Sequence, residues 1–278
     1  MRNFRLVAVI ASMFALNAYA ADNNIYIQQS GDNSTVTMTQ DGAGNIVQGL
    51  GGSASNSIIN GNNNTVTVDQ VGTGNTLNFG VQTSMAKGLV GNNYSYTVTG
   101  NNATAIIDSN NNGNNTSASN NVNVTQTGNY ANLNVNVLGS GNNIAAATAG
   151  GDYNSFVSTV NGSNNNQTVN VSGGGNNNVI INQGMGGSAL GLNSAGQPLL
   201  PATTDVAGTV NLSVIGASNS VDVTQTGGMG VTGHMANISL DGSSNVANII
   251  QQGVSANSII RLTSVGNGNT FTLSSNTH

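Results

Sequence analysis

The sequence has no cysteine, no tryptophan and no glutamate, and its only prolines are Pro198 and Pro201. Without cysteine no disulfide can staple the chain, so stability has to come from backbone ladders and side-chain packing. Charged residues make up 5% of the chain, and all nine acidic residues are Asp. Arg2 and Arg5 stand at the very start, leaving Lys87 and Arg261 as the only later cations. Two cations cannot neutralise a run of phosphates, so no nucleic acid is expected as a partner, and a polybasic membrane patch is equally absent. No apolar run reaches the roughly 20 residues a spanning helix needs, so no membrane insertion is expected.

What the chain does have is 38 Gly, about 50 Asn and abundant Val, Ile and Thr, far from ordinary globular usage. Disorder normally accompanies high net charge and few β-branched residues. Low charge with β-branched and amide side chains favours cross-β stacking instead. The first residues read as a signal peptide over 1–20: Arg2 and Arg5, an apolar stretch over 6–16, and the small-residue site Ala18-Tyr19-Ala20. Cleavage after Ala20 predicts a secreted protein, extracellular or at the cell surface, with residues 21–278 forming one repeat domain.

Periodicity organises that domain. The pattern h-x-h-x-Q-x-G, with h apolar, occurs as Val36, Met38, Gln40, Gly42, then as Val66, Val68, Gln70, Gly72. It returns as Val122, Val124, Gln126, Gly128 and as Val221, Val223, Gln225, Gly227, with a weaker copy at Ala247, Ile249, Gln251, Gly253. Alternate residues of a strand share a face, so the apolar pair and the Gln point inward together while Thr, Asp and Asn point out. A shorter pattern ends directly in Gly, as in Val135, Val137, Gly139 and Ile238, Leu240, Gly242. Long and short strands alternate, giving a two-strand repeat of about 23 residues.

Gly followed by Asn marks the turns: Gly42 and Asn45, Gly72 and Asn75, Gly216 and Asn219, Gly242 and Asn245, Gly266 and Asn269. These are the residues that adopt positive φ most readily. One such unit has no core of its own, whereas stacked units bury a continuous one and align Gln40, Gln70, Gln126, Gln225 and Gln251 as ladder residues. The predicted fold is all-β: a flattened parallel β-solenoid with amyloid-like stacking, on the order of ten rungs long. Both prolines, Gly186-Gly187 and Leu199-Leu200 fall in 184–207, which reads as an insertion looped out of the ladder. Smaller interruptions fall around 84–89 and in the polar tract 110–121.

The pattern h-x-h-x-Q-x-G-x-x-N at Gln40–Asn45 and Gln70–Asn75 resembles the curlin repeat of bacterial extracellular amyloid fibres. The resemblance implies a fibre subunit or accessory component of biofilm matrix and surface adhesion. Its partners would be further copies, related fibre subunits and secretion machinery.

Other motifs point elsewhere and are weaker. Residues 228–233 match G-x-G-x-x-G, but strand repeats flank them and no helical pattern follows, so chance in a glycine-rich chain explains the match. His234 and His278 are isolated and read as solvent-exposed, and neither they nor the scattered Asp residues form a metal-ligand set. Asp41, Asp69 and Asp222 read as outward residues of a solvated face. No cofactor and no catalytic residue is nominated, so the chain reads as a non-enzyme. Outward Thr35, Thr37, Thr39, Thr65 and Thr67 raise an alternative, a monomeric or trimeric solenoid adhesin or ice-binding-type surface protein.

Overall fold

The computed structural model describes residues 22–82, 91–110, 119–139, 141–184, 208–227, 233–253 and 256–277. The proposed signal peptide, the core of the insertion (185–207), segments 83–90 and 111–118, most of the G-x-G-x-x-G match and His278 lie outside the described residues.

The first half of the chain forms β1 (Asn24–Ile25), β2 (Ile27–Ser30), β3 (Thr35–Ala43), β4 (Ile46–Gln48), β5 (Ser57–Asn60), β6 (Thr65–Thr73), β7 (Thr76–Gln82), β8 (Asn93–Thr99), β9 (Thr104–Asn110), β10 (Asn121–Thr127) and β11 (Asn132–Leu138). The second half forms β12 (Asn143–Ala149), β13 (Ser155–Asn161), β14 (Asn166–Ser172), β15 (Asn178–Gly184), β16 (Thr209–Ile215), β17 (Ser220–Gly227), β18 (Met235–Asp241), β19 (Val246–Gly253), β20 (Ile259–Val265) and β21 (Thr270–Thr277). They build a 12-stranded sheet, here sheet A, and a 9-stranded sheet, sheet B. From β6 onward the chain alternates between sheet B and sheet A, one strand each per turn. The result is a β-solenoid of about 8 turns. Sheet A has three more strands because β1 with β2, and β4 with β5, each share one rung, and because the described stack both begins and ends in sheet A.

Alternation of apolar and polar residues sets the register, because a one-residue slip would send every inward side chain to solvent. Val36 aligns with Val66 and Tyr94, and Met38 with Val68 and Tyr96. Val66, Val68, Val122, Val124, Val221 and Val223 are buried between the sheets, while Val36 and Met38, on the first sheet-B rung, are half-buried. The core is a double file of side chains running the length of the stack. Its largest members share one rung: Tyr94 and Tyr96 project from β8, and β9 answers with the smaller Ala105 and Ser109. The Tyr94 hydroxyl donates to Ser109 Oγ at 2.7 Å, and the ring meets Phe79 edge-on at 5.6 Å. Burial holds both phenols well above the ordinary tyrosine range.

The spacing of rungs is ~26 residues rather than the expected 23. Corner partners stand 23 residues apart between Asn154 and Asn177, but 30 between Asn45 and Asn75 and 42 between Asn177 and Asn219. The extra length is not spread evenly. One excursion, 49–56, interrupts a sheet-A rung between β4 and β5, and the other long connections all run from a sheet-A strand to the next sheet-B strand. The opposite corner keeps a short turn of two to five residues throughout. Loop closure becomes only slowly more costly with length, so one corner absorbs insertions while the columns hold register.

Candidate functional site

The corners carry side-chain ladders that close the backbone. Asn75 N–H donates to Asn45 Oδ1 at 3.0 Å, and Asn75 Oδ1 in turn accepts from Ala103 N–H at 3.0 Å. Alanine at Ala103 and Ala131 ends this ladder, and it resumes through Asn154, Asn177, Asn219, Asn245 and Asn269 at 2.9–3.1 Å. Asn45, Asn75 and Asn219 also donate through Nδ2 to the carbonyls of Gly72, Gly100 and Gly242, each at 2.9 Å. Each of these amides thus clamps the next rung at two points, satisfying backbone groups that would be costly to bury unpaired. The turn glycines Gly42, Gly72, Gly216, Gly242 and Gly266 stack beside them with φ between 114° and 128°. A Cβ on Gly72 would collide with the carbonyl of Gly100.

The other corner holds a second ladder that the turn signature did not point to. It runs from Ser34 through Asn64, Asn92, Asn120, Asn142 and Asn165 to Gly208 N–H. Its sequence signal is an Asn directly before each sheet-B strand from β6 to β14, and variable loop lengths there hide the period.

The five repeat glutamines all point inward but do not share one column. Gln40 Nε2 donates to Gln70 Oε1 at 2.7 Å on sheet B, and that short ladder stops because Val98 is next in register. Gln70 Nε2 is buried without a partner. Gln126 lies between Val98 and Thr148, accepts the Tyr96 hydroxyl at 2.8 Å, and leaves its own Nε2 unpaired. Gln225 and Gln251 belong to sheet A, where Gln183 joins them. Gln183 escaped the repeat pattern because its glycine, Gly184, follows immediately instead of one residue later.

This second ladder is part of a continuous buried chain. Ser158 Oγ donates to Gln167 Oε1 at 2.6 Å, Gln167 Nε2 to Gln183 across the core, Gln183 to Gln225 and Gln225 to Gln251, the amide pairs each at 2.8 Å. Gln251 Nε2 then donates to Ser258 Oγ at 2.9 Å, and Ser258 Oγ lies 3.1 Å from His234 Nδ1. Along this chain each amide donates to the next member toward the C-terminal end, while Gln225 and Gln251 also donate to the carbonyls of Thr209 and Met235.

His234 corrects the expectation of a solvated histidine, for it is buried in the second corner's column. Its Nδ1 accepts Ser258 N–H at 3.1 Å, the role Asn Oδ1 fills in other rungs. Burial lowers its pKa below the ordinary histidine value, against neighbouring backbone acceptors of Gly253 and Thr226. Asp41 is exposed and Asp69 half-buried. Asp222 departs from a solvated face: it sits on the outer side of sheet A between Ile180 and Asn248, with Oδ1 buried and unpaired. Burial raises its carboxyl pKa and that of Asp108. Among the described residues no three of His and Asp converge as metal ligands, and no helix is long and apolar enough to cross a membrane.

With the geometry in place, the chain can be set beside known proteins. No family profile, no curated protein and no solved structure matches it. Its surfaces therefore have to be read on their own terms. Three stand out: the end rungs, the outer face of sheet B, and one corner. At the C-terminal end Ile260, Phe271 and Leu273 are only partly covered, and at the other end the same holds for Ile27, Val36 and Met38. The sheet-B face from β8 to β16 carries no ionisable side chain, only Asn, Ser, Thr, Ala and a terminal Ile215.

Proposed function

We propose that this chain is a secreted, non-enzymatic structural protein, a curlin-like subunit or accessory component of an extracellular amyloid-type fibre in biofilm matrix and surface adhesion. The supporting observation is the match between its two ends. Following the register through the stack, the column of Val36, Met38 and Gln40 ends in Ile260, Leu262 and Ser264. On sheet A the column of Ile25, Ile27 and Gln29 ends in Phe271, Leu273 and Ser275. A second copy stacked on the C-terminal rung thus meets apolar with apolar and amide with hydroxyl. It also finds the open edges of β20 and β21, which are templates for further strands. Such a contact is heterologous and does not close, so it propagates.

The mature chain should form filaments, raise thioflavin fluorescence and diffract near 4.7 and 10 Å. A chain that stays monomeric at high concentration sinks this reading. The uncharged sheet-B face favours a second one, a soluble solenoid acting as an adhesin or ice binder. Monomer or trimer sedimentation together with inhibition of ice recrystallisation would select it.

A further inference from the structure

Tyr130 and Tyr153 occupy the third corner feature, and neither the core nor the end rungs account for them. They stand one rung apart at the short corner, with ring centroids 4.9 Å apart and planes within 5° of parallel. Both are exposed, at 49% and 56%. Each ring covers one face of the other, and about half of each residue still stays open to solvent.

Their backbone makes the placement unusual. Tyr130 and Tyr153 have φ of 55° and 62°, the left-handed conformation of every turn in this column. The equivalent positions hold Gly44, Gly74, Asn102, Asn176, Ser218, Ser244 and Gly268, all small residues and mostly ones that adopt it readily. A bulky residue with positive φ is an outlier, and such strain is characteristic of functional positions. Two tyrosines held there side by side form a rigid aromatic ridge.

The residues preceding them supply polar groups in fixed positions. Asn101 N–H and Nδ2 both donate to Asn129 Oδ1, at 3.0 and 3.1 Å, and Asn129 N–H donates to Asp152 Oδ1 at 2.8 Å. Asn129 Nδ2 and the second oxygen of Asp152 have no partner among the described residues. A flat partner with an apolar face and a hydroxyl-bearing rim suits this arrangement: the face lies on the ring, and the rim meets one amide donor and one carboxylate acceptor. The carboxylate disfavours anionic polymers, and the only described cation, Arg261, lies on the distant last sheet-B rung.

We infer that the Tyr130–Tyr153 ridge is a binding site for neutral polysaccharide, stacking pyranose rings on the tyrosine faces with Asn129 and Asp152 bonding their hydroxyls. The site is complete in a single chain and does not depend on fibre formation.

The test compares the mature chain with the double variant Tyr130→Asn/Tyr153→Asn, which installs the residue already present at Asn102 and Asn176. Co-sedimentation with microcrystalline cellulose and affinity electrophoresis in soluble β-1,3-glucan and galactomannan serve as probes, with thermal unfolding and filament formation measured in parallel. The expected result is retention of the parent by at least one glycan and at least ten-fold weaker retention of the variant, whose unfolding temperature is unchanged or higher. Equal retention of both proteins overturns the site, as does no retention of the parent by any of the three. Tyrosine-dependent retention on arginine-coupled beads alone overturns it in favour of a cationic partner. Because filaments are scored separately, loss of the glycan site and loss of assembly are distinguishable.

Discussion

Replacing Gln225 by Leu removes the centre of the buried amide chain while leaving the shape of the rung nearly intact. Three hydrogen bonds disappear: from Gln183 Nε2 at 2.8 Å, to Gln251 Oε1 at 2.8 Å and to the Thr209 carbonyl at 3.1 Å. Gln183 Nε2 and Gln251 Oε1 are left in the core without their partner. Each such orphan costs about 1–3 kcal/mol, the pair about 2–6 kcal/mol, and the added apolar burial returns about 1–2 kcal/mol, so the net loss lies in the range of about 0–5 kcal/mol and centres on about 2.5 kcal/mol. Gln126→Leu is the internal control. Gln126 Nε2 already lacks a partner, so only the Tyr96 hydroxyl is stranded, and the same reasoning gives a loss that centres on about 0.5 kcal/mol, about 2 kcal/mol below that of Gln225→Leu. Guanidinium unfolding of freshly purified chain, followed by far-ultraviolet circular dichroism, measures both as midpoint shifts at constant slope. Adding Gln183→Leu to Gln225→Leu should cost less than the sum of the two singles, because the two residues share one bond. Equal losses for Gln126→Leu and Gln225→Leu, or strict additivity of the pair, would refute a cooperative chain.

Three further outcomes are expected. His234 is held neutral, with its folded pKa below the unfolded value; it therefore supports stability above about pH 6.5, and that support is lost as pH falls toward the folded pKa. His234→Asn keeps an acceptor for Ser258 N–H and should flatten this acid limb in unfolding measured from pH 7 to 5. Asp222 has the opposite sign: its raised carboxyl pKa favours the fold below the ordinary aspartate range and costs stability as pH rises through the shifted value. Asp222→Asn should accordingly raise the unfolding temperature at pH 7 and have less effect at pH 3. Gly72→Ala combines a φ of 120° with a collision against the Gly100 carbonyl and should cost at least about 2 kcal/mol in the same unfolding assay, whereas Gly268→Ala, with open space around it, should cost less.

The alternation in Val66-Thr67-Val68-Asp69-Gln70 and its copies was enough to read strands, inward faces and stacking, because a period of two leaves no other way to bury the valines. Turn glycines such as Gly72 were equally legible, since few residues adopt their φ. The sheet to which each glutamine belongs was not. Gln70 and Gln225 sit in the same local pattern, yet one lies on sheet B and the other on sheet A, because which strand of a two-strand rung carries the glutamine is decided by packing across the core. Gln167 shows the same limit: its nearest column neighbours are the apolar Val122, Ile144 and Val210, and only the contacts with Ser158 and Gln183 explain an amide there. His234 was misjudged for a related reason. Surrounding glycines suggest a solvated turn, but its position in the corner ladder requires a buried acceptor, which imidazole Nδ1 supplies.

The uniform donor direction of the buried amides, from Ser158 through Gln167, Gln183, Gln225 and Gln251 to Ser258, has an electrical consequence. Aligned side-chain dipoles add, so the sheet-A stretch from Gln183 through Gln225 to Gln251 carries a polarity along the stacking axis, with its positive pole toward the C-terminal rungs. The opposite terminus bears Asp22, Asp32 and Asp41. In the proposed assembly, two copies approaching end to end would thereby be oriented before their strand edges touch, and the stack is a vector rather than a rod with interchangeable ends.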